Sequence, residues 1–115
     1  MDEWLRRQWE RPIHFDRQGQ PIELMRWAEL MRDDEYRVVR QDPIVHDVDT
    51  AAVWWLSTVW IGLDMSFLLG VPLIFETMLF GPPDDYEGDT QWRWHTEAQA
   101  IAAHDQLLME VRARV

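Results

Sequence analysis

Two carboxylates stand where acid–base chemistry would want them. Asp64 closes the apolar run that ends in Ile61-Gly62-Leu63, and Glu76 sits inside the next apolar run, Leu73 to Phe80. If the two runs are paired strands joined through Met65 to Pro72, both carboxyls can face one cleft, and burial would lift their pKa values toward general acid–base use. The same positions have a plainer reading, in which Asp64 ends a strand and Glu76 pairs with an arginine such as Arg37 or Arg93. Asp64 and Glu76 are the candidate catalytic residues, with both readings open.

Other chemistry has less to stand on. His46 with Asp47 and Asp49 offers nitrogen and oxygen donors, but lacks a ligand spacing such as two His one helical turn apart, and reads as a solvated loop. The chain has no Cys, which removes disulfides, thiolate catalysis and cysteine-held metals. No glycine spacing makes a phosphate-cradling loop, and Ser57 and Ser66, the only serines, do not sit in a nucleophile elbow. No metal and no cofactor are expected. His104 falls on an apolar helical stripe, where a hydrogen-bonded core histidine is the default.

The side chains best suited to binding are aromatic and acidic. Eight Trp in 115 residues is unusual; some must be core, and any left exposed would anchor a protein partner. Trp92-Arg93-Trp94 could also stack a sugar or a base. Phe67 lies in an apolar tip, Phe67-Leu68-Leu69-Gly70, that a turn does not require, while Asp84 and Asp85 stand in an acidic loop able to mimic a phosphate backbone or merely face water. Trp92, Trp94, Phe67, Asp84 and Asp85 are the partner-binding candidates. The net charge of −10 disfavours nucleic acid, whose binding relies on releasing counterions with basic side chains.

These residues need a scaffold, and the periodicities supply one. Asp2 caps a short helix stopped by Pro12, and Ile13-His14-Phe15-Asp16 followed by Gly19 predicts a hairpin ending near Pro21-Ile22. Leu24, Trp27, Ala28 and Met31 fall at i, i+3, i+4 and i+7, an amphipathic helix ended by Asp33-Asp34. Tyr36 to Arg40 predicts a strand interrupted at Asp42-Pro43, with a loop from Asp42 to Thr50. Val53 to Leu63 carries Trp55, Val59 and Ile61 on one face and Trp54, Leu56 and Trp60 on the other. Leu73 to Phe80 likewise sets Phe75 and Leu79 opposite Ile74, Met78 and Phe80. Strands apolar on both faces belong where a sheet is covered twice, or at an interface. Gln91 to His95 predicts a last strand, and Thr96 with Gln99 forms a capping box opening a helix striped by Ile101, His104, Leu108 and Val111.

The fold class expected is α+β: residues 1–115 as one domain, with a small antiparallel sheet of four or five strands, an amphipathic helix after the first hairpin, and a C-terminal helix. Apolar residues at 47% and charged residues at 28% fit an ordinary globular domain. No apolar run approaches the roughly 20 residues of a spanning helix, and the N-terminus lacks a secretory pattern, so a cytoplasmic protein away from the membrane is expected. Lys and Asn, which share A-rich codons, are both absent, and all 11 basic residues are Arg, as in a gene of high GC content.

Ser57-Thr58-Val59-Trp60-Ile61-Gly62-Leu63-Asp64, Pro72 to Gly81 (PLIFETMLFG) and Trp94-His95-Thr96 leading to Ala100 and His104 together resemble small uncharacterised proteins encoded by actinobacterial phages and prophages. Phe15 to Ile22 ahead of a Trp-bearing helix is similar too. In such proteins a His often follows the Leu-Asp pair, where this chain has Met65. The resemblance implies an accessory protein of phage type and supplies no mechanism. Size, charge, Trp content and lack of motifs make binding to a bacterial protein the leading expectation, as a modulator of host or defence machinery, and not catalysis. A small enzyme or ligand-binding domain around Asp64 and Glu76 is the alternative, and a self-associating homo-oligomer is a third.

Overall fold

The computed structural model describes residues 2–49, 52–66, 70–81 and 90–114. A meander of four strands, each antiparallel to the next, forms one sheet in the order β1 (Val38–Asp47), β2 (Ala52–Trp60), β3 (Phe75–Phe80) and β4 (Gln91–Trp94). Three helices precede it: α1 (Glu3–Trp9), α2 (Leu24–Met31) and the single-turn α3 (Asp34–Arg37). One follows, α4 (Glu97–Arg114). The chain is thus α+β, with a C-terminal helix after the strands. Among the described residues no helix is long and apolar enough to cross a membrane.

Local signals set the helix starts. Asp2 accepts a hydrogen bond from the Trp4 amide at 2.8 Å, and Asp33 accepts from the Tyr36 amide at 3.2 Å, each satisfying a donor that a first turn leaves unpaired. At α4 the capping box is complete. The Gln99 amide donates to Thr96 Oγ1 at 3.1 Å, and the Thr96 amide donates to Gln99 Oε1 at 3.3 Å. Helix α4 buries Ala100, His104, Leu107 and Val111, one turn or two apart, with Ile101 and Leu108 flanking that stripe half-buried.

Two expectations are corrected between residues 36 and 47. Tyr36 and Arg37 belong to α3, and strand β1 starts at Val38, because Asp33 caps a helical turn before extended backbone can begin. β1 then continues to Asp47 where a loop was expected, and Pro43 lies within it opposite Trp55. Proline lacks only an N–H, and β1 is an edge strand, so a ring there is tolerated where the missing donor would have pointed away from β2. The expected first hairpin is a single bridge, Phe15 to Pro21, closed by Gly19 at φ +82°.

The 13–15 segment locks onto the end of β2. The Phe15 amide donates to Gly62 O at 2.8 Å, Trp60 Nε1 donates to Phe15 O at 3.0 Å, and Trp27 Nε1 donates to Ile61 O at 2.9 Å. Gly62 makes this possible. Its φ of +65° is left-handed, and a Cβ there would lie 2.2 Å from the Trp60 ring.

The core lies between the sheet and the helices in two apolar clusters. Phe15, Leu30, Trp60, Ile74, Phe75 and Ala100 form one; Ile44, Trp54, Leu56, Leu79, Leu107 and Val111 form the other. Between them runs a polar seam of Thr58, Thr77 and His104, all fully buried. Among the described residues the other face of the sheet carries no helix of comparable length.

Candidate functional site

The open face is a set of cross-strand rows fixed by the register. Because side chains alternate along each strand, the burial of Trp54, Leu56, Thr58 and Trp60 under α4 forces Val53, Trp55, Ser57 and Val59 to the other side. Pairing then aligns Pro43, Trp55 and Phe80 in one row. Gln41, Ser57, Met78 and Gln91 make the next, and Val38, Val59, Glu76 and Arg93 the third. Trp55 and Phe80 are each 50% exposed and directly opposite one another, and Val45, farther along the same side of β1, is 54% exposed. Scattered exposed apolar residues are ordinary; aromatic neighbours on an uncovered sheet are a patch.

Toward the other end of this face the chemistry turns polar around a groove of about 570 Å³. Val59, Ile61, Met78 and Phe80 line it beside Glu76, and Arg37 and Asp34 of α3 border it. Its charges are matched in pairs. Arg93 Nε lies 3.3 Å from Glu76 Oε2, which also accepts from Gln91 Nε2 at 2.6 Å, and Arg37 lies 3.3 Å from Asp34. The arginine partner expected for Glu76 is therefore Arg93. On the central row Gln41 Nε2 donates to Ser57 Oγ at 3.1 Å.

The covered face holds the other polar arrangement. His104 Nε2 is 2.7 Å from Asp42 Oδ2 and its Nδ1 is 2.7 Å from Thr58 Oγ1; Thr58 Oγ1 is 2.6 Å from Thr77 Oγ1, which accepts from Trp94 Nε1 at 3.0 Å. The two ends set the polarity of the chain. An Asp42 carboxylate accepts only and an indole N–H donates only, so a neutral imidazole carries its proton on Nε2 and takes the Thr58 hydroxyl hydrogen at Nδ1, while Thr77 donates to Thr58. Carboxylate, imidazole and hydroxyl follow in the order of a nucleophilic triad. A nucleophile must meet its substrate, however, and Thr58 and Thr77 have no exposed surface. The seam is structural: every hydroxyl and ring nitrogen in it has a partner, which is the condition under which a buried polar network holds elements in register.

Asp64 lies elsewhere, at the bridge between the 13–15 segment and the end of β2. Its side chain is 1% exposed; Oδ1 accepts from the amides of Ser66 at 2.8 Å and Leu73 at 3.2 Å, and Arg11 approaches Oδ2 at 3.8 Å. Burial works to raise its pKa, but the Ser66 side chain and amide, the Leu73 amide and the Arg11 charge together outweigh it and hold the carboxyl below its ordinary value. This carboxylate ties the Ser66 and Leu73 amides together. Asp64 and Glu76 bind different partners, and the structure does not gather them into a common cleft.

Trp92 and Trp94 are half-buried on the α4 side of the sheet, packed against the core clusters, and Trp94 spends its N–H on Thr77. Alternation decides this, since Gln91 and Arg93 take the open side. Phe67, Asp84 and Asp85 lie outside the described residues, as do the side chains of His46 and Asp47. Among the described residues no group of three His, Asp or Glu is arranged to hold a metal. The exposed aromatics that matter, Trp55 and Phe80, were not singled out from the sequence, although the two-sided apolar pattern of both strands was the signal. Comparison with protein-family models, curated proteins and solved structures returns no match to this chain.

Proposed function

We propose that this chain is a small accessory protein that acts by binding another protein across the open face of its sheet. One observation carries the reading: among the described residues a sheet apolar on both sides has a long helix across only one, leaving the Trp55–Phe80 row exposed beside a groove that the single turn α3 merely borders. Tryptophan flanked by apolar and paired polar residues is the composition of an interface centre with its rim. The setting proposed is the bacterial cytoplasm, with host or defence machinery as the target, in keeping with the phage-type resemblance. The charge of −10 keeps a chain with an exposed aromatic row in solution.

Binding is preferred to the small-enzyme reading because Asp64 and Glu76 hold different partners and Thr58 has no exposed surface. The test is a tagged capture from bacterial lysate with wild-type protein and Trp55→Asp in parallel, read by mass spectrometry. A stoichiometric protein held by wild type and absent from the variant is the expected result. Equal retention by both, or tight binding of a small ligand with no protein captured, refutes it.

A further inference from the structure

We infer that, in the free protein, the occupant of the open face is a second copy of this chain, the two sheets packing face to face. This rests on the reading of that face as a protein-binding surface, and names what covers it when no other protein does.

The first argument is charge. The chain carries −10 overall, yet the groove end of the open face is neutral, with Arg37 against Asp34 and Arg93 against Glu76. A strongly basic partner would gain little from a surface whose charges are already matched. A surface of the same kind, apolar at one end and charge-balanced at the other, complements it without leaving an unpaired ion. The second argument is layering. A sheet needs a layer on each apolar side; α4 provides one, and among the described elements no other helix runs across the remaining side. A second sheet stacked at about 10 Å provides it, with the two sheets aligned to within roughly 30°. A two-fold axis running along the strands between β2 and β3 then sets Trp55 of each copy against Phe80 of the other, so both aromatic rows are buried by one self-complementary contact.

Size and salt fix how such a dimer should behave. Strand spacing and rise give the face a flat footprint of at most roughly 14 Å by 30 Å, about half of the ~800 Å² per partner of a stable interface. Reversible association, varying with protein concentration, follows. Two chains of −10 also repel at long range, so added salt should tighten the dimer, the opposite of what salt does to an acidic protein held by a basic partner.

The experiment is sedimentation velocity over a wide range of concentration at low and high salt. Wild type is compared with Trp55→Asp, with Ser57→Glu, which sets like charges across the axis, and with Met109→Asp on the exposed side of α4 as a control; circular dichroism checks the fold of each. Expected is a monomer–dimer equilibrium of the 13.8 kDa chain, tightened by salt, weakened more than tenfold by either face substitution and unchanged in the control. A monomer at every concentration overturns the second copy while leaving the captured-protein reading to its own test. A dimer indifferent to both face substitutions overturns the inference as well, and shows that self-association uses another surface.

Discussion

The two faces of one sheet differ in how their side chains are satisfied. On the α4 side the polar groups of Thr58, Thr77, His104, Asp42 and Trp94 form a closed chain between two apolar clusters. On the open side Trp55, Phe80, Met78 and Val59 lie beside pairs that close locally, Glu76 with Arg93 and Arg37 with Asp34. Both faces mix apolar and polar residues, so composition does not separate them. What separates them is whether removing a group strands its partner in a dry interior or merely exposes it to water already present. The covered face should thus govern stability, and the open face association.

The largest expected effect is on the covered face. His104→Leu strands one hydrogen bond of the buried Thr58 hydroxyl and deprives Asp42 of its donor, and should cost about 2–3 kcal/mol in urea unfolding with little change in the denaturant slope. A loss under 1 kcal/mol would mean that the seam is incidental.

An intermediate effect tests a buried carboxylate outside the seam. Asp64→Asn should cost about 1–2 kcal/mol at neutral pH, since the side chain serves two amides as a charged acceptor. The sign with pH follows from a folded-state pKa lowered beneath the unfolded one. Its contribution is present above the unfolded pKa near 4 and is lost as pH falls through the folded value, so the gap between wild type and variant should close on acidification below about pH 4. A gap that widens there contradicts the assignment.

The smallest expected effect on stability falls on the open face. Trp55→Ser removes cross-strand contact with Phe80 and Pro43 and should shift unfolding by no more than about 1 kcal/mol. Thermal melting of the dilute monomer would check this, and a loss comparable to that of His104→Leu would place Trp55 in the core economy of the fold.

Legibility in the sequence tracked the range of the interaction. The Asp2 cap, the Thr96–Gln99 box and the alternation in β2 and β3 are written within a few residues of where they act, and each is present in the structure; in α2 the expected stripe is shifted, with Leu30 buried and Leu24 exposed. The ion pair of Glu76 with Arg93 was open to anticipation, because successive strands pair and opposite charges attract. Pro43 misled because its missing N–H argues against a strand in general but not at an edge, and edge position is a property of the sheet. Trp92 and Trp94 alternate with Arg93 as expected, yet alternation does not say which side a helix will cover.

By itself, then, the sequence determined a Cys-free, acidic α+β chain, most of its elements and the division of each long strand into two faces, since propensity, capping and period are short-range physics. Only the tertiary structure decided that α4 lies over the Leu56–Thr58–Trp60 side, that Asp42, Thr58, Thr77 and His104 meet across as many as 62 positions of chain, and that Trp55 and Phe80 stay uncovered. The physical reason is that both faces of β2 and β3 are apolar enough to be buried. The choice between them falls to α4, whose buried His104 finds its hydrogen-bond partners, Thr58 and Asp42, on one face.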